Sequence, residues 1–460
     1  MRLFGTNGIR EVVGGRLTAP FVTAVAEGIA RAYPVGAPIV VGWDGRTSSP
    51  ALSRIVSATL ALAGHRVIEV GLLPTPAVQF NVVRLHAQCG VILTASHNPP
   101  EFNGVKLIAG DGLEAERAKE EEVEKAVAGS SGLFAPYDRV GTITTDSGGA
   151  HAYVERILSL VDRPAIERRR FRVVLDCGNG ASVPTSPMLL RELGCKVVTL
   201  NGHVDGTFPG HLSEPTEANL ADLCRTVPAV GADLGIAHDG DADRAVFVDG
   251  SGRYVPGEKV LTWLAREFVR ENKGGVVVTP VSGSQSIEDA IRPFGGEVVF
   301  TRVGSPSVTH EMQARAAVFG GEENGGLIFP KFQLARDGAM TAAAVLDRLA
   351  SQGVSLADAI AGLPEYTLVK RKIACAPELR EKVVARLTEE LSPTAVRTLL
   401  LDGLKVFWAD GWVLLRPSGT EPLIRVFAEA KDAKRAAQIA DDVERRVGEA
   451  LVGLGARGTG

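Results

Sequence analysis

Only five of the 460 residues are cysteine, and no two of them stand in a C-x-x-C pair. Cys89, Cys177, Cys195, Cys224 and Cys375 are odd in number and read as buried thiols in a reducing cytoplasm. A basic excess is also lacking. Fifty Lys and Arg face 54 Asp and Glu, for a net charge of −4. That argues against a non-specific nucleic-acid binder and leaves room only for a local basic pocket. No uncharged apolar run approaches the roughly 18 residues of a membrane helix. The opening "MRLFGTNGIRE" has no apolar signal core. No Gly-Lys dipeptide occurs, so there is no P-loop. "CGNGASV" misses the dinucleotide fingerprint, with Val183 at the third glycine, and reads as an ordinary strand-to-helix turn. What remains is a soluble globular composition, 45% hydrophobic and 23% charged. The length implies three or four domains of roughly 100–150 residues.

Three segments share one grammar: a β-branched strand, a Gly/Ser loop, a helix, a glycine and a second strand. They begin at Ile39, Arg172 and Gly275. Each reads as β-α-β, with short apolar strands of the kind buried in a mostly parallel sheet. Each is followed by a third apolar strand, in "CGVILTAS", "ADLGIAHDGD" and "ARAAVFGGEENGG". In open α/β sheets ligands bind beyond the carboxyl ends of the strands, so three loops in equivalent places carry three chemistries. From about Tyr366 the pattern changes to strand, helix, paired strands and a final amphipathic helix, a small α+β domain with an antiparallel sheet and a hairpin at Ala409–Gly411. The expected domains are 1–150, 151–252, 253–365 and 366–460.

In "HDGDADR", Asp239, Asp241 and Asp243 alternate and Arg244 follows. Such a cluster is either a solvated acidic turn or a cation site, because close carboxylates repel unless neutralised. Hard oxygen ligands suit Mg²⁺. An EF-hand is excluded, since its sixth and twelfth positions hold Arg244 and Gly250. In "ILTASHNPPEFNGVK" a strand stops at Ser96, with His97 next and Lys106 ten residues on. Ser96 reads either as a turn-capping hydroxyl or as an exposed nucleophile with His97 and Lys106 as proton carrier and charge. No G-x-S-x-G elbow surrounds it. "RPSGTEPLIR" offers Arg416, Ser418, Gly419, Thr420 and Arg425, two guanidiniums, two hydroxyls and a glycine nest suited to a phosphate. In "GGEENGG", Glu322 and Asn324 stand between glycines, an ordinary loop or a grip on a vicinal diol.

"FGTNGIR", "TASHNP", "DGDADR", "GEENGG" and "RPSGTEP", in that order along nearly the whole chain, resemble the α-D-phosphohexomutase superfamily. The resemblance implies three similar mixed α/β domains and a smaller C-terminal α+β domain around a central cleft. It implies four loops in turn: phosphoserine, metal-binding, sugar-binding and phosphate-binding. Ser96 would be the phosphoserine, a metal ligand together with Asp239, Asp241 and Asp243. Arg10, His97 and Lys106 would line the transfer site, and Arg244 would lie beside the phosphate. Glu322 and Asn324 would hold sugar hydroxyls, and the Arg416–Arg425 loop the non-reacting phosphate. The cofactors implied are Mg²⁺ and a hexose 1,6-bisphosphate. The partner is a small sugar phosphate in the cytoplasm, with no nucleic acid and no membrane, and a homodimer is compatible with it. One departure is visible. Many members end the sugar loop with histidine, where Gly326 stands here. This form resembles archaeal phosphoglucosamine mutases and dual phosphoglucomutase/phosphomannomutases, which favours glucosamine phosphate and shifts acid/base work to Lys106 or His97. A Mg²⁺-dependent sugar-phosphate phosphatase or phosphotransferase and a non-catalytic sugar-phosphate binder are the competing classes.

Overall fold

The computed structural model describes residues 2–5, 7–129, 132, 134–418 and 421–455. The chain divides into two compact units, Met1–Leu264 with Gly304–Gly362, and Ala265–Val303 with Leu363–Gly460.

In the first unit a six-stranded sheet runs Ile9–Val12, Phe102–Ala109, Cys89–Leu93, Pro38–Trp43, Arg66–Leu72, Ile143–Thr145. Its centre and one edge are parallel; the first two strands add antiparallel at the other edge. Ile39, Val41, Val67, Val91 and Leu93 meet Val22, Val25 and Ile29 of the helix Ala19–Ala32 and Val56 and Leu60 of Ser49–Leu62. The opposite face of Pro38–Trp43 is apolar too, and Val78 of the helix Thr75–Arg84 lies against Gly42. Burial on both faces is why these strands read as continuous apolar runs, each covered Val or Leu contributing roughly 1.5–3 kcal/mol.

A five-stranded sheet follows, ordered Tyr254–Val255, Ala245–Asp249, Leu234–His238, Arg172–Asp176, Lys196–Leu200. Arg172–Asp176 pairs parallel with both neighbours, and Ala245–Asp249 returns antiparallel from the acidic loop. Both sheets are therefore mixed, parallel at the heart and antiparallel at one side. The antiparallel strands Phe319–Gly321, Leu327–Phe329 and Gln333–Arg336, with the helix Gly338–Gln352, complete this unit.

The third repeat supplies strands to both units. Its first two strands, Gly275–Pro280 and Gly296–Thr301, pair in parallel within the second unit. Packing explains this assignment: Val281, Phe300 and Val303 join a cluster with Phe407, Trp412 and Leu414. Lys405, fully buried, donates to the carbonyls of Val281 and Gly283 at 2.7 and 2.9 Å. The rest of that unit is an antiparallel sheet ordered Thr367–Ala374, Leu423–Ala430, Gly411–Pro417, Leu404–Trp408, Arg397–Leu399. The closing helix Ala433–Gly453 buries Ala436, Ile439, Ala440, Val443, Val447 and Ala450, a three- and four-residue spacing that forms one apolar stripe. Its first turn is capped by Asp432, which accepts from the Arg435 N–H at 2.9 Å. Among the described residues no helix is long and apolar enough to cross a membrane. Four of the five cysteines are buried and all five are free.

Candidate active site

Ser96 follows the strand Cys89–Leu93 and adopts φ +50°, a left-handed backbone uncommon outside glycine. Such a turn needs outside support, and Arg46 supplies it. Its guanidinium donates to the carbonyls of Ser96 (2.7 Å), Asn98 (2.6 Å), Pro99 (2.7 Å) and Phe102 (2.8 Å). The fifth donor, Nε, meets Asp44 Oδ2 at 3.1 Å. All five N–H groups of this side chain are thus used. Asp44 is held in turn by the hydroxyls of Ser49 and Thr94, each at 2.7 Å. The sequence expectation of an exposed serine is corrected: Ser96 is fully buried. Its hydroxyl is turned inward and donates to Asp239 Oδ2 at 3.0 Å. The reason is that the acidic loop closes over the serine loop. A Cβ on Gly240 would lie 2.6 Å from the Ser96 carbonyl, so only glycine allows the two backbones to come this near.

The acidic loop joins Leu234–His238 to Ala245–Asp249, and His238 and Ala245 face each other in register at its base. Asp239, Asp241 and Asp243 are buried, each with an oxygen within 4.8 Å of the others. Asp239 uses both oxygens, one for Ser96 and one for the Arg244 N–H at 3.2 Å. Asp241 Oδ2 accepts from Thr75 Oγ1 at 2.7 Å and Lys106 Nζ at 3.2 Å. Asp243 Oδ2 is paired with Arg336. Asp241 Oδ1 and Asp243 Oδ1 are left buried without any hydrogen-bond partner. Two orphaned carboxylate oxygens are costly in a protein interior, and a hard divalent cation is what they suit. The donor set therefore fits Mg²⁺.

The electrostatics agree with that fit. Burial, then repulsion from Asp243 and Asp241, pushes Asp239 well above the carboxylate range. Burial raises Asp241 as well, but Lys106, Thr75, Ser96 and Arg10 outweigh it, and its acidity is strengthened. His97 is driven down to about 2 by burial and then by Arg244 and Arg10. It is a neutral imidazole, with Nδ1 facing Arg244 Nη2 at 3.0 Å and Ser96 Oγ at 3.4 Å. Arg10, on the strand Ile9–Val12, donates to Asn98 Oδ1 at 3.0 Å. Lys106, on Phe102–Ala109, stands opposite Ile92 in the serine-bearing hairpin and is 2% exposed. The structure thus gathers Ser96, His97, Lys106, Arg10, Arg244 and the three aspartates.

The remaining expected residues fall in two places. Glu322 is buried and accepts from Arg336 at 2.6 Å, while Asn324 Oδ1 accepts from the Gly326 N–H at 3.1 Å and shapes its own turn. In the second unit Arg416 and Arg425 are direct cross-strand partners. Like charges so placed repel, and each is paired with a carboxylate, Arg416 with Asp402 at 2.7 Å and Arg425 with Glu421 at 2.8 Å. Ser418 Oγ accepts from the Glu421 N–H at 3.1 Å, and Arg380 donates to the Ser418 carbonyl. Gly419 and Thr420 lie outside the described residues. Sequence reasoning missed Arg46, Asp44, Thr75 and Arg336. The "WDGRTSS" stretch carried a signal for the first two, an Asp and an Arg two apart on the loop of the first repeat. Nothing local marks the other two.

Comparison with known proteins gives this arrangement a family. Four models of the phosphoglucomutase/phosphomannomutase family match in order: alpha/beta/alpha domain I over residues 1–132, domain II over 151–252, domain III over 256–366 and the C-terminal domain over 370–446. The chain belongs to that family. It is 39% identical to a phosphoglucomutase/phosphomannomutase of Thermococcus kodakarensis, covering 98% of this chain and 100% of that one. It is 36% identical to a phosphoglucosamine/phosphogalactosamine mutase of Sulfurisphaera tokodaii, over 97% and 99%. Its fold matches the crystal structure of a phosphoglucomutase/phosphomannomutase family protein from Burkholderia thailandensis with a TM-score of 0.87 at 28% identity, over 98% and 97%.

Proposed function

We propose that this protein is a cytoplasmic phosphohexomutase that moves a phosphoryl group between O1 and O6 of a hexose through Ser96, acting on glucosamine phosphate. The observation that carries this reading is the Ser96 hydroxyl bonded into a buried aspartate triad, two of whose oxygens make no hydrogen bond among the described residues. Phospho-Ser96 gives its phosphoryl to the free sugar hydroxyl: the Oγ–P bond breaks, a new O–P bond forms, and the hydroxyl proton leaves to a base. The product is a hexose 1,6-bisphosphate, which reorients and returns its other phosphate to Ser96. Phosphoryl transfer depends mostly on position and charge neutralisation. Asp239, Asp241 and Asp243 would hold Mg²⁺ with a phosphoserine oxygen, and the ion when bound supplies positive charge to the transferring group. Arg46 and the hairpin fix the loop. Arg10, Arg244 and Lys106 face the transferring group with cationic donors. The hydroxyl proton is assigned to His97, the imidazole 3.4 Å from Ser96 Oγ, or to Lys106 once it has given up a proton of its own and no longer acts as a cation. Glu322 and Asn324 are assigned to sugar hydroxyls, and the Arg416–Arg425 loop to the non-reacting phosphate. We assign one such loop to each of the segments 1–150, 151–252, 253–365 and 366–460.

The name of the S. tokodaii relative favours an amino sugar, and that of the T. kodakarensis relative favours glucose and mannose phosphates as a second reading. The test is intact mass with mutase assays on glucosamine 6-phosphate, glucose 1-phosphate and mannose 1-phosphate, with Mg²⁺ and a trace of hexose bisphosphate. Wild type is expected to isomerise a sugar phosphate, glucosamine phosphate fastest. Ser96→Ala is expected to lose activity and any phosphoryl mass adduct. Full activity in the variant, or release of inorganic phosphate as the only reaction, refutes the mechanism.

A further inference from the structure

The strand Gln333–Arg336 delivers Arg336 between two loops with different tasks. One amino group donates to Glu322 Oε2 at 2.6 Å, and the other is paired with Asp243 Oδ2. The guanidinium and both carboxylates are nearly sealed from solvent, with side-chain exposures of 6% for Arg336 and Glu322 and 3% for Asp243. Charges held this way are screened little, so a change at one end is felt at the other. The stem of the same side chain explains a glycine. A Cβ on Gly326 would lie 2.5 Å from Arg336 Cδ and 3.2 Å from Cγ, although the backbone there does not itself demand glycine. Arg336 thus fills the space that a side chain at position 326 would enter. Asp243 meets Arg336 with Oδ2, while Oδ1 makes no hydrogen bond and lies 3.7 Å from Arg244 Nε, so Arg336 and a cation would use opposite oxygens of one carboxylate.

We propose that Arg336 is a positioning residue that couples Glu322 to the cation loop, so that the charge state of Glu322 sets the affinity of the aspartate triad for a divalent cation. Naming Glu322 as the sugar grip rests on the proposed function; the coupling itself does not. With Glu322 ionised, the arginine's charge is divided between two carboxylates. With Glu322 neutralised, more of it falls on Asp243, with Glu114 and Asp241 taking the remainder, and it opposes the cation. Linkage makes the effect reciprocal: whatever engages Glu322 must feel the cation.

The test is Mn²⁺ affinity by electron paramagnetic resonance, without sugar, for wild type, Glu322→Gln, Arg336→Met and the double variant. Glu322→Gln is expected to weaken Mn²⁺ binding about 3- to 30-fold with Arg336 present, and by less than about 2-fold in the Arg336→Met background. Equal effects in both backgrounds, or none in either, overturn the proposal. Arg336→Met strips two buried carboxylates of their partner and threatens folding. Gly326→Ala is therefore the second test, since its methyl displaces the arginine stem while every charge is kept. It is expected to change Mn²⁺ affinity, and unaltered affinity overturns the coupling. The wild-type mutase assay is independent of both. An inactive protein with intact coupling would sink the proposed function alone, and an active protein without coupling would sink this inference alone. A wild type that binds no Mn²⁺ overturns both.

Discussion

Replacing Arg46 by lysine is the most demanding test of how the serine loop is held. The guanidinium feeds five acceptors and is 1% exposed. An ammonium has three donors on one nitrogen, so at least two acceptors go without. A hydrogen bond to a charged group is worth about 1.5–3 kcal/mol, which puts the loss near 3–6 kcal/mol before relaxation. Lysine keeps the charge beside buried Asp44, so the larger penalty of an unpaired carboxylate is avoided. At about 2–4 °C per kcal/mol, the melting temperature should fall by roughly 6–24 °C before relaxation. The carbonyls released belong to the turn that keeps Ser96 at φ +50°. A shift of about 1 Å in a reacting group costs on the order of 100-fold in rate, so kcat should fall by that order while KM changes little. Calorimetry, mutase kinetics and intact mass on the same preparation check all three. A variant within about 2 °C of wild type and within about 3-fold in kcat would show that Arg46 neither supports the loop nor positions the serine.

Asp241→Asn should lower Mn²⁺ affinity at least about 10-fold by titration calorimetry, because it replaces a charged ligand whose second oxygen is already engaged by Thr75 and Lys106. Arg416→Ala should raise KM for the sugar phosphate about 10- to 100-fold with a smaller change in kcat, as expected for loss of a charge-assisted phosphate contact; an unchanged KM would remove that loop from the substrate. Asp337 gives the pH prediction. Burial raises its carboxyl to about 6, against pull from the Met340 N–H, Tyr153 and Gln333. The native state then binds more protons than the unfolded one between about pH 4 and 6, so this group lowers stability as pH rises through that window. Asp337→Asn should flatten the fall in melting temperature from pH 4 to 7, and an identical profile in both proteins would contradict the assignment.

The strands were legible because burial on both faces leaves a run such as Val40-Val41 or Val173-Val174 with no polar position to hide the signal. The acidic loop and the serine were legible because their chemistry is written within a few residues. What was not legible is everything made by distant partners. Ser96 meets Asp239 across 143 positions, and Thr75 meets Asp241 across 166. Arg336 does not differ in its neighbours from any surface arginine, Arg46 is marked only by the Asp two residues before it, and only the fold makes each a buried clamp. The burial of Ser96 was missed for the same reason: a strand-ending serine reads as exposed until the second sheet brings its glycine against it. The third repeat was legible as a pattern, from the same β-branched runs that marked the first two.

The charges of the site argue for what it receives. Asp239, Asp241, Asp243 and Glu322 stand among Arg10, Lys106, Arg244 and Arg336, with Glu214 also paired to Arg244 at 3.5 Å, so acids and cations are interleaved. A site built only for stability could stop there, since buried ions cost more than apolar groups of the same size. It does not stop there: two oxygens of the triad make no hydrogen bond among the described residues, and Asp239 is held far from its ordinary acidity. A divalent cation suits those oxygens and brings two positive charges of its own. A phosphoryl group carries about −1.5 to −2 at neutral pH. The pair enters without net charge, and neither member does so alone. Binding of Mn²⁺ and of a phosphate-bearing ligand should therefore be mutually tightening in the wild type, and Ser96→Ala, which keeps every charge but cannot be phosphorylated, should bind Mn²⁺ more weakly than phosphorylated wild type. Equal Mn²⁺ affinity in the two would mean that the cation site is complete without the phosphate and that the balance of charges has another purpose.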